Sequence, residues 1–347
     1  RTALEADPDN YRAAKGFARL AEKAGERALL REAAEYELNV SRDLDRGSDL
    51  LVLAAKAERE RGALDAAAKD LLQALEVHPD HAGAAEGLIE TLLLQDKVDE
   101  LYDALLHAAN SARLQARHAA LWNAIADLLA EQKQDLPAAL AALNRVLGDE
   151  PDSPATLVKL AELYARDGQW AETVDRLTRA IQMKPDDKLL SRAQLLHAQV
   201  LSEHLGDDQR ALGSVLAVID REPESREALQ CLIGIQRRRR DLDAAYSSAK
   251  QLIMVSGTKA ERAESYQLLA DLEAERGHPE AAARALADAV ALVGMSAVPD
   301  LERHAQALHG PAKNQVLERE AEALIQYAAN HQLSSEDRVA LELKVAD

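Results

Sequence analysis

Cysteine, phenylalanine and tryptophan are almost missing from this 347-residue chain, which has one Cys, one Phe and two Trp, with aromatics at 3%. The single thiol, Cys231, forms neither an internal disulfide nor, by itself, a thiol-based metal centre. That scarcity fits the cytosol and does not exclude the periplasm. Glycine and proline are sparse too, at 15 and 10 residues, which excludes a collagen-like chain, and 47% hydrophobic residues exclude a wholly disordered one. No apolar run approaches the roughly 18 residues of a membrane span. Positive charge is in deficit: 42 Lys and Arg face 60 Asp and Glu, for a net charge of −18. Sequence-independent nucleic-acid binding needs the opposite sign. An acidic balance favours basic or mixed-charge protein partners. What remains is dominated by Ala, Leu, Glu and Arg, which helices favour and sheets do not, so a β-sandwich is excluded. The chain opens on Arg1 rather than Met and shows no charged-then-apolar leader, so it reads as a processed chain or a fragment.

Proline supplies a ruler. Pro8, Pro79, Pro151, Pro185 and Pro223 each end a similar phrase (LEADPDN, LEVHPD, LGDEPD, IQMKPD, VIDREPE), at spacings of 71, 72, 34 and 38 residues. These are one or two units of a repeat, with Gly25, Gly62, Gly168, Gly206 and Gly277 midway between some of them. Unit 154–187 is the clearest. Its first helix carries Leu157, Leu160, Ala161 and Tyr164 on one face, and Gly168 ends it in a left-handed cap. Its second carries Val174, Leu177 and Ile181, and Pro185 stops it.

These residues resemble the tetratricopeptide repeat family, whose pattern places Leu, a small residue, Tyr, a turn, Ala and Pro at fixed places of a 34-residue unit. Leu157, Leu160, Ala161, Tyr164, Gly168, Ala180 and Pro185 are in register, while Thr173 and Leu177 depart from it. Unit 48–81 matches with Leu51, Ala55, Gly62, Ala67, Leu71, Ala74 and Pro79, and unit 263–296 with Tyr266, Leu269, Ala270, Gly277, Ala282, Leu286 and Ala289. Units 11–44, 82–115, 118–152, 190–224 and 226–258 are looser, and 82–115 lacks both the turn glycine and the closing proline. The resemblance implies an all-α, right-handed superhelical solenoid of antiparallel helix pairs. The array is expected over 1–296 in about eight units, after the tail of an earlier one. Residues 297–347 then form capping or degenerate repeat helices, with an N-cap at Ser334–Asp337.

In this family, places 2, 5, 9 and 12 of each unit face a concave groove. Carried over, they assign Arg12, Lys15 and Arg19 to the first unit, Lys56 and Arg59 to the second, and Glu86, Glu90 and Asp127 to the third and fourth. Glu162 and Arg237 follow in the fifth and seventh. The implied partner is a protein or peptide of mixed charge. Members that hold a chaperone's C-terminal carboxylate use Lys and Asn in three successive units; Glu86 and Glu90 stand where a cation is needed, which argues against that ligand.

Other chemistry finds little support. Arg237–Arg240 reads as a solvated turn, because no aromatic is interleaved to stack on bases. The ten histidines form no HExxH and pair with no CxxC. Cys231, in ALQCLIGI, reads as a buried small hydrophobe. Gly257-Thr258-Lys259 lacks the upstream glycine and strand of a phosphate loop. Trp122, Trp170, Tyr102, Tyr164 and Tyr266 read as core, and Tyr11 and Tyr327 as surface. No catalytic residue, metal or cofactor is predicted. The expectation is a non-catalytic scaffold that binds a partner's peptide or helix, in the cytoplasm or periplasm, with self-association through its ends as a further possibility. The alternative is an assembly or regulatory segment of a larger bacterial envelope or secretion machine, or of a multidomain enzyme.

Overall fold

The computed structural model describes residues 4, 6, 7, 10–294, 322–324 and 327. Sixteen α-helices and no strand occur among the described residues. The chain divides into two compact units, residues 1–172 and 173–347.

The first unit holds α1 (Tyr11–Ala24), α2 (Arg27–Tyr36), α3 (Leu44–Glu60), α4 (Leu64–Val77), α5 (Ala82–Leu94), α6 (Val98–Ser111), α7 (Gln115–Glu131), α8 (Leu136–Asp149) and α9 (Pro154–Arg166). The boundary falls inside α10 (Trp170–Gln182). The second unit continues with α11 (Asp187–Glu203), α12 (Asp208–Arg221), α13 (Arg226–Arg238), α14 (Leu242–Val255), α15 (Lys259–Glu275) and α16 (Pro279–Val293). Odd-numbered helices are the first, and even-numbered ones the second, of each antiparallel pair.

Each helix starts where its sequence allows. Asn10, Asp43, Asp135, Ser153, Asp186, Asp207, Ser225 and Asp241 all accept a hydrogen bond from the backbone N–H three residues on. Thr258 and Glu261 close a reciprocal capping box on α15. Leu114, before α7, has no such side chain; the carboxylate of Asp80, in the turn one pair earlier, accepts from the backbone N–H of Arg113 and Leu114 instead. Turns that lack glycine are closed by side-chain-bearing residues in the left-handed region: Asp96 (φ 58°) serves the turn of unit 82–115, and Gln134 (φ 53°) the longer turn that follows α7. Between α2 and α3 the chain forms a short π-helix, Glu37–Ser41, which the sequence pattern did not announce.

Alanine sits where helices cross. Ala14, Ala18, Ala33, Ala54, Ala67 and Ala74 are completely buried, so the backbones approach closely while Leu50, Leu51, Leu71, Leu88 and Leu101 fill the space between pairs. One apolar cluster runs from Leu4 to Leu163 in the first unit. In the second unit Leu229, Ile233, Leu252 and Leu272 join α13, α14 and α15, and a further cluster unites α15 and α16 with Ala323 and Leu324. Tyr327, read from sequence as a surface residue, is half-buried against that cluster, its ring over Gly294. Tyr11 is exposed and Trp122 is 4% exposed, both as expected. The remaining C-terminal expectations, including the Ser334–Asp337 cap, lie outside the described residues.

The proline ruler has a structural counterpart. First helices alternate in length: α3, α7, α11 and α15 have 17 residues, while α5, α9 and α13 have 13. The N-caps His81, Ser153 and Ser225 are 72 residues apart, and so are Leu114, Asp186 and Thr258. The true period is two pairs.

Candidate interaction surface

The charges that the sequence assigned to a groove all lie on first helices. Between α3 and α5 a cleft of about 550 Å³ brings four of them together: Lys56 and Arg59 from one wall, Glu86 and Glu90 from the other. Gly83 and Gly87 keep the α5 wall low, and a Cβ at Gly87 would stand 2.9 Å from Leu71 Cδ2. Arg59 Nη1 meets Glu90 Oε2 at 2.7 Å across the cleft. Leu94, 67% exposed, edges it. A second recess, about 290 Å³ and mainly apolar, lies between α5 and α7, with Ile89, Leu93 and Leu128 in its walls and Asp127 and Glu131 at its rim.

The other assigned residues fall elsewhere on the first helices. Asp127 is held by Lys159 Nζ of α9 at 2.8 and 2.9 Å, and Glu131 by Arg166 at 2.5 Å. Arg12 and Arg19 are exposed on α1; the Lys15 ammonium lies over the Tyr11 ring, 4.7 Å from its centroid. Glu162 is half-buried on α9. In the second unit Arg237 pairs with Glu275 of α15. Its neighbours are also engaged: Arg238 donates to Ser202 and lies 3.5 Å from Asp208, and Arg239 donates to Gln209. The four-arginine run ties pairs together, and Arg240 (φ 61°) makes the turn.

A second set of charges escaped the sequence reading. Asp65 accepts from Lys97 Nζ at 2.8 Å and from Gln95, and these hydrogen bonds hold its carboxyl below the usual carboxylate range. Lys133 with Asp99, and Arg276 with Asp243, repeat the arrangement at separations of 34 and 33 residues. In each case an acid in the first turn of a second helix, where it complements the helix dipole, meets a cation from the following turn. On the same second helices Asp70, fully buried, is held by Arg27 at 2.9 and 3.2 Å and by Arg31 at 3.3 Å.

Two arrangements resemble catalytic groups without their geometry. His118 Nδ1 faces Asp149, as in an acid–base dyad, but its Nε2 accepts from the Trp122 indole N–H at 2.9 Å, so the nitrogen a substrate would need is taken. Burial pushes the Cys231 thiol up to about 11, which keeps it protonated and unreactive. Among the described residues no three His, Cys, Asp or Glu side chains gather as a metal site, and no helix is long and apolar enough to cross a membrane.

Residues 128–200, from the end of α7 into α11, match the family model for the tetratricopeptide repeat. That stretch is a tetratricopeptide repeat match, and the helix pairs on either side of it have the same all-α architecture. The chain is 32% identical over 130 residues to cellulose synthase operon protein C of Pseudomonas fluorescens (strain SBW25), an alignment that covers 35% of this chain and 10% of that protein's length. Among solved structures it is similar to MamA (residues 41 to the end) from Desulfovibrio magneticus RS-1, at 17% identity and TM-score 0.45, covering 50% of this chain and 94% of that one. A tetratricopeptide repeat protein from Parabacteroides merdae gives 15% and 0.46 over 79% and 98% of the two chains. YrrB, described as having an unusual peptide-binding site, gives 18% and 0.43 over 55% and 92%. Tetratricopeptide repeat proteins are in general non-catalytic scaffolds for protein–protein interaction, and this chain has their architecture.

Proposed function

We propose that this chain captures a peptide or helix of a partner protein along the face formed by its first helices, without catalysing a reaction. The observation that carries this reading is the α3/α5 cleft, where small residues hollow out one wall and charged side chains stand on both. Such a surface orients a bound segment through its charges and holds it through buried apolar area. A photo-crosslinking amino acid placed at Lys56 in source cells, and separately at exposed Leu72 on the second helix α4, tests it. Partner adducts from position 56 and none from 72 support the reading; adducts from 72 alone overturn it.

A second reading, favoured by the 130 residues shared with cellulose synthase operon protein C, makes the chain an assembly segment of a larger bacterial envelope or secretion machine. A reading frame continuing well beyond these 347 residues supports it. Self-association through the ends of the array would show as a mass that rises with concentration.

A further inference from the structure

Several charges on the first helices are neutralised within the chain. Arg59 meets Glu90, Lys159 meets Asp127, and Arg166 meets Glu131. The second unit repeats this with Arg237 and Glu275. A partner's charged group arriving there has an existing pair to displace.

The start of the array differs. Arg12, Arg19 and Lys23 on α1 and Lys56 on α3 are exposed, and among the described residues none of them pairs with a carboxylate. Arg12, Arg19 and Lys23 recur at 7 and 4 residues, which sets them on one stripe of α1. Leu20 is 64% exposed beside them, and Leu53, three residues before Lys56, is 39% exposed. The two helices adjoin, since Arg46 of α3 reaches Glu22 of α1 at 2.5 Å. In a chain of net charge −18, Arg12, Arg19, Lys23 and Leu20 form a positive and apolar stripe on α1, with Lys56 and Leu53 on the adjoining α3, where Lys56 also faces Glu86 and Glu90 across the cleft.

We propose that the α1/α3 face docks an acidic, leucine-bearing segment of a partner protein; this rests on the first-helix face being the interaction surface and replaces a partner of mixed charge with an acidic one. Its carboxylates meet cations that need not leave another partner, and its apolar side chains cover Leu20 and Leu53. A nucleic acid fits less well. The chain's overall charge repels a polyanion, and one face of the Tyr11 ring, a stacking platform on this patch, is already covered by Lys15.

The test is selection of a displayed random 12-residue peptide library on the full chain, followed by fluorescence anisotropy of the enriched peptides. Three baits are compared: the native chain, an Arg19→Glu/Lys23→Glu/Lys56→Glu variant, and a Leu93→Asp variant of the α5/α7 recess, each first checked for native helicity. Expected are peptides rich in Asp, Glu and Leu. They should bind the triple variant about tenfold or more weakly, bind the Leu93 variant unchanged, and weaken as salt rises. Enriched peptides that are basic or neutral, or that bind the triple variant as well as the native chain, overturn the proposal. Loss on the Leu93 variant alone overturns it while leaving the first-helix face as the binding surface. No enrichment on any bait overturns both readings, and a labelled single-stranded oligonucleotide that binds more tightly than the peptides overturns this one.

Discussion

His197 should make the second unit acid-sensitive well above the pH at which carboxylates titrate. It sits on α11, 7% exposed, with Nδ1 2.8 Å from Ser214 Oγ of α12 and Nε2 3.3 Å from Thr178 Oγ1 of α10. Burial, with a smaller contribution from the charge of Arg210, pushes the imidazole down from 6.5 to about 4, against an opposing effect of Asp207. The folded-state value is depressed, so between pH 6.5 and 4 the unfolded chain binds a proton that the folded chain does not. Stability is therefore fully present above pH 6.5 and lost as pH falls, by about 1.4 kcal/mol for each unit in that window. From pH 7 to pH 5 the loss is about 2 kcal/mol. Because repeat arrays open piecemeal, the assay is local: hydrogen exchange of α11 amides by mass spectrometry at pH 7 and 5, corrected for intrinsic rates, on the native chain and on His197→Gln. Glutamine does not titrate, so its protection should fall by about 2 kcal/mol less than the native chain's. Equal losses in the two proteins, or an NMR titration of the His197 ring near 6.5, would refute the reasoning.

Three more outcomes follow from the same structure. Asp70→Ala leaves Arg27 and Arg31 facing each other without their shared carboxylate and should destabilise the first unit by about 2–3 kcal/mol, read from the urea midpoint; the loss is smaller than for a fully buried pair because both arginines keep contact with solvent. Cys231, with its thiol raised from 9.0 to about 11, should react with iodoacetamide at pH 8 about a hundredfold more slowly in the folded chain than in urea, timed by mass spectrometry. Gly47→Ala drives a Cβ into Leu38 Cδ2 and Cγ, so despite the better helix propensity of alanine it should lower the stability of the first unit by about 1 kcal/mol.

The paired helices were legible because their signals are local. Leu157, Leu160 and Ala161 lie within one helix, and Pro151 and Ser153 stand beside the turn they end. The residues that the sequence assigned to a groove all lie on first helices, as the periodicity predicts, but their ion-pair partners were not visible. Arg59 and Glu90 are 31 residues apart, and Lys159 and Asp127 are 32, so each pairing emerges only after the whole frame has been set and neighbouring pairs stacked. Lys97 with Asp65 and Lys133 with Asp99 do carry a signal, a cation 32 to 34 residues after an acid, which is audible only once the repeat length is known. The hydroxyl partners of His197 come from two other helices, and nothing near it in sequence marks it as buried.

The alternation of 17- and 13-residue first helices constrains how such a chain changes length. An array of equivalent units can gain or lose one unit at a time. Here the removal of one pair would set two long or two short first helices side by side and misalign the ion pairs that link their ends. Removing residues 81–152 instead joins Asp80 to Ser153, restores a Pro-Asp-Ser turn, and hands α4 a short first helix like the one it lost. The heritable building block of this protein is then four helices and 72 residues, and duplication in blocks of that size is the route by which its reach can be extended without rewriting its contacts.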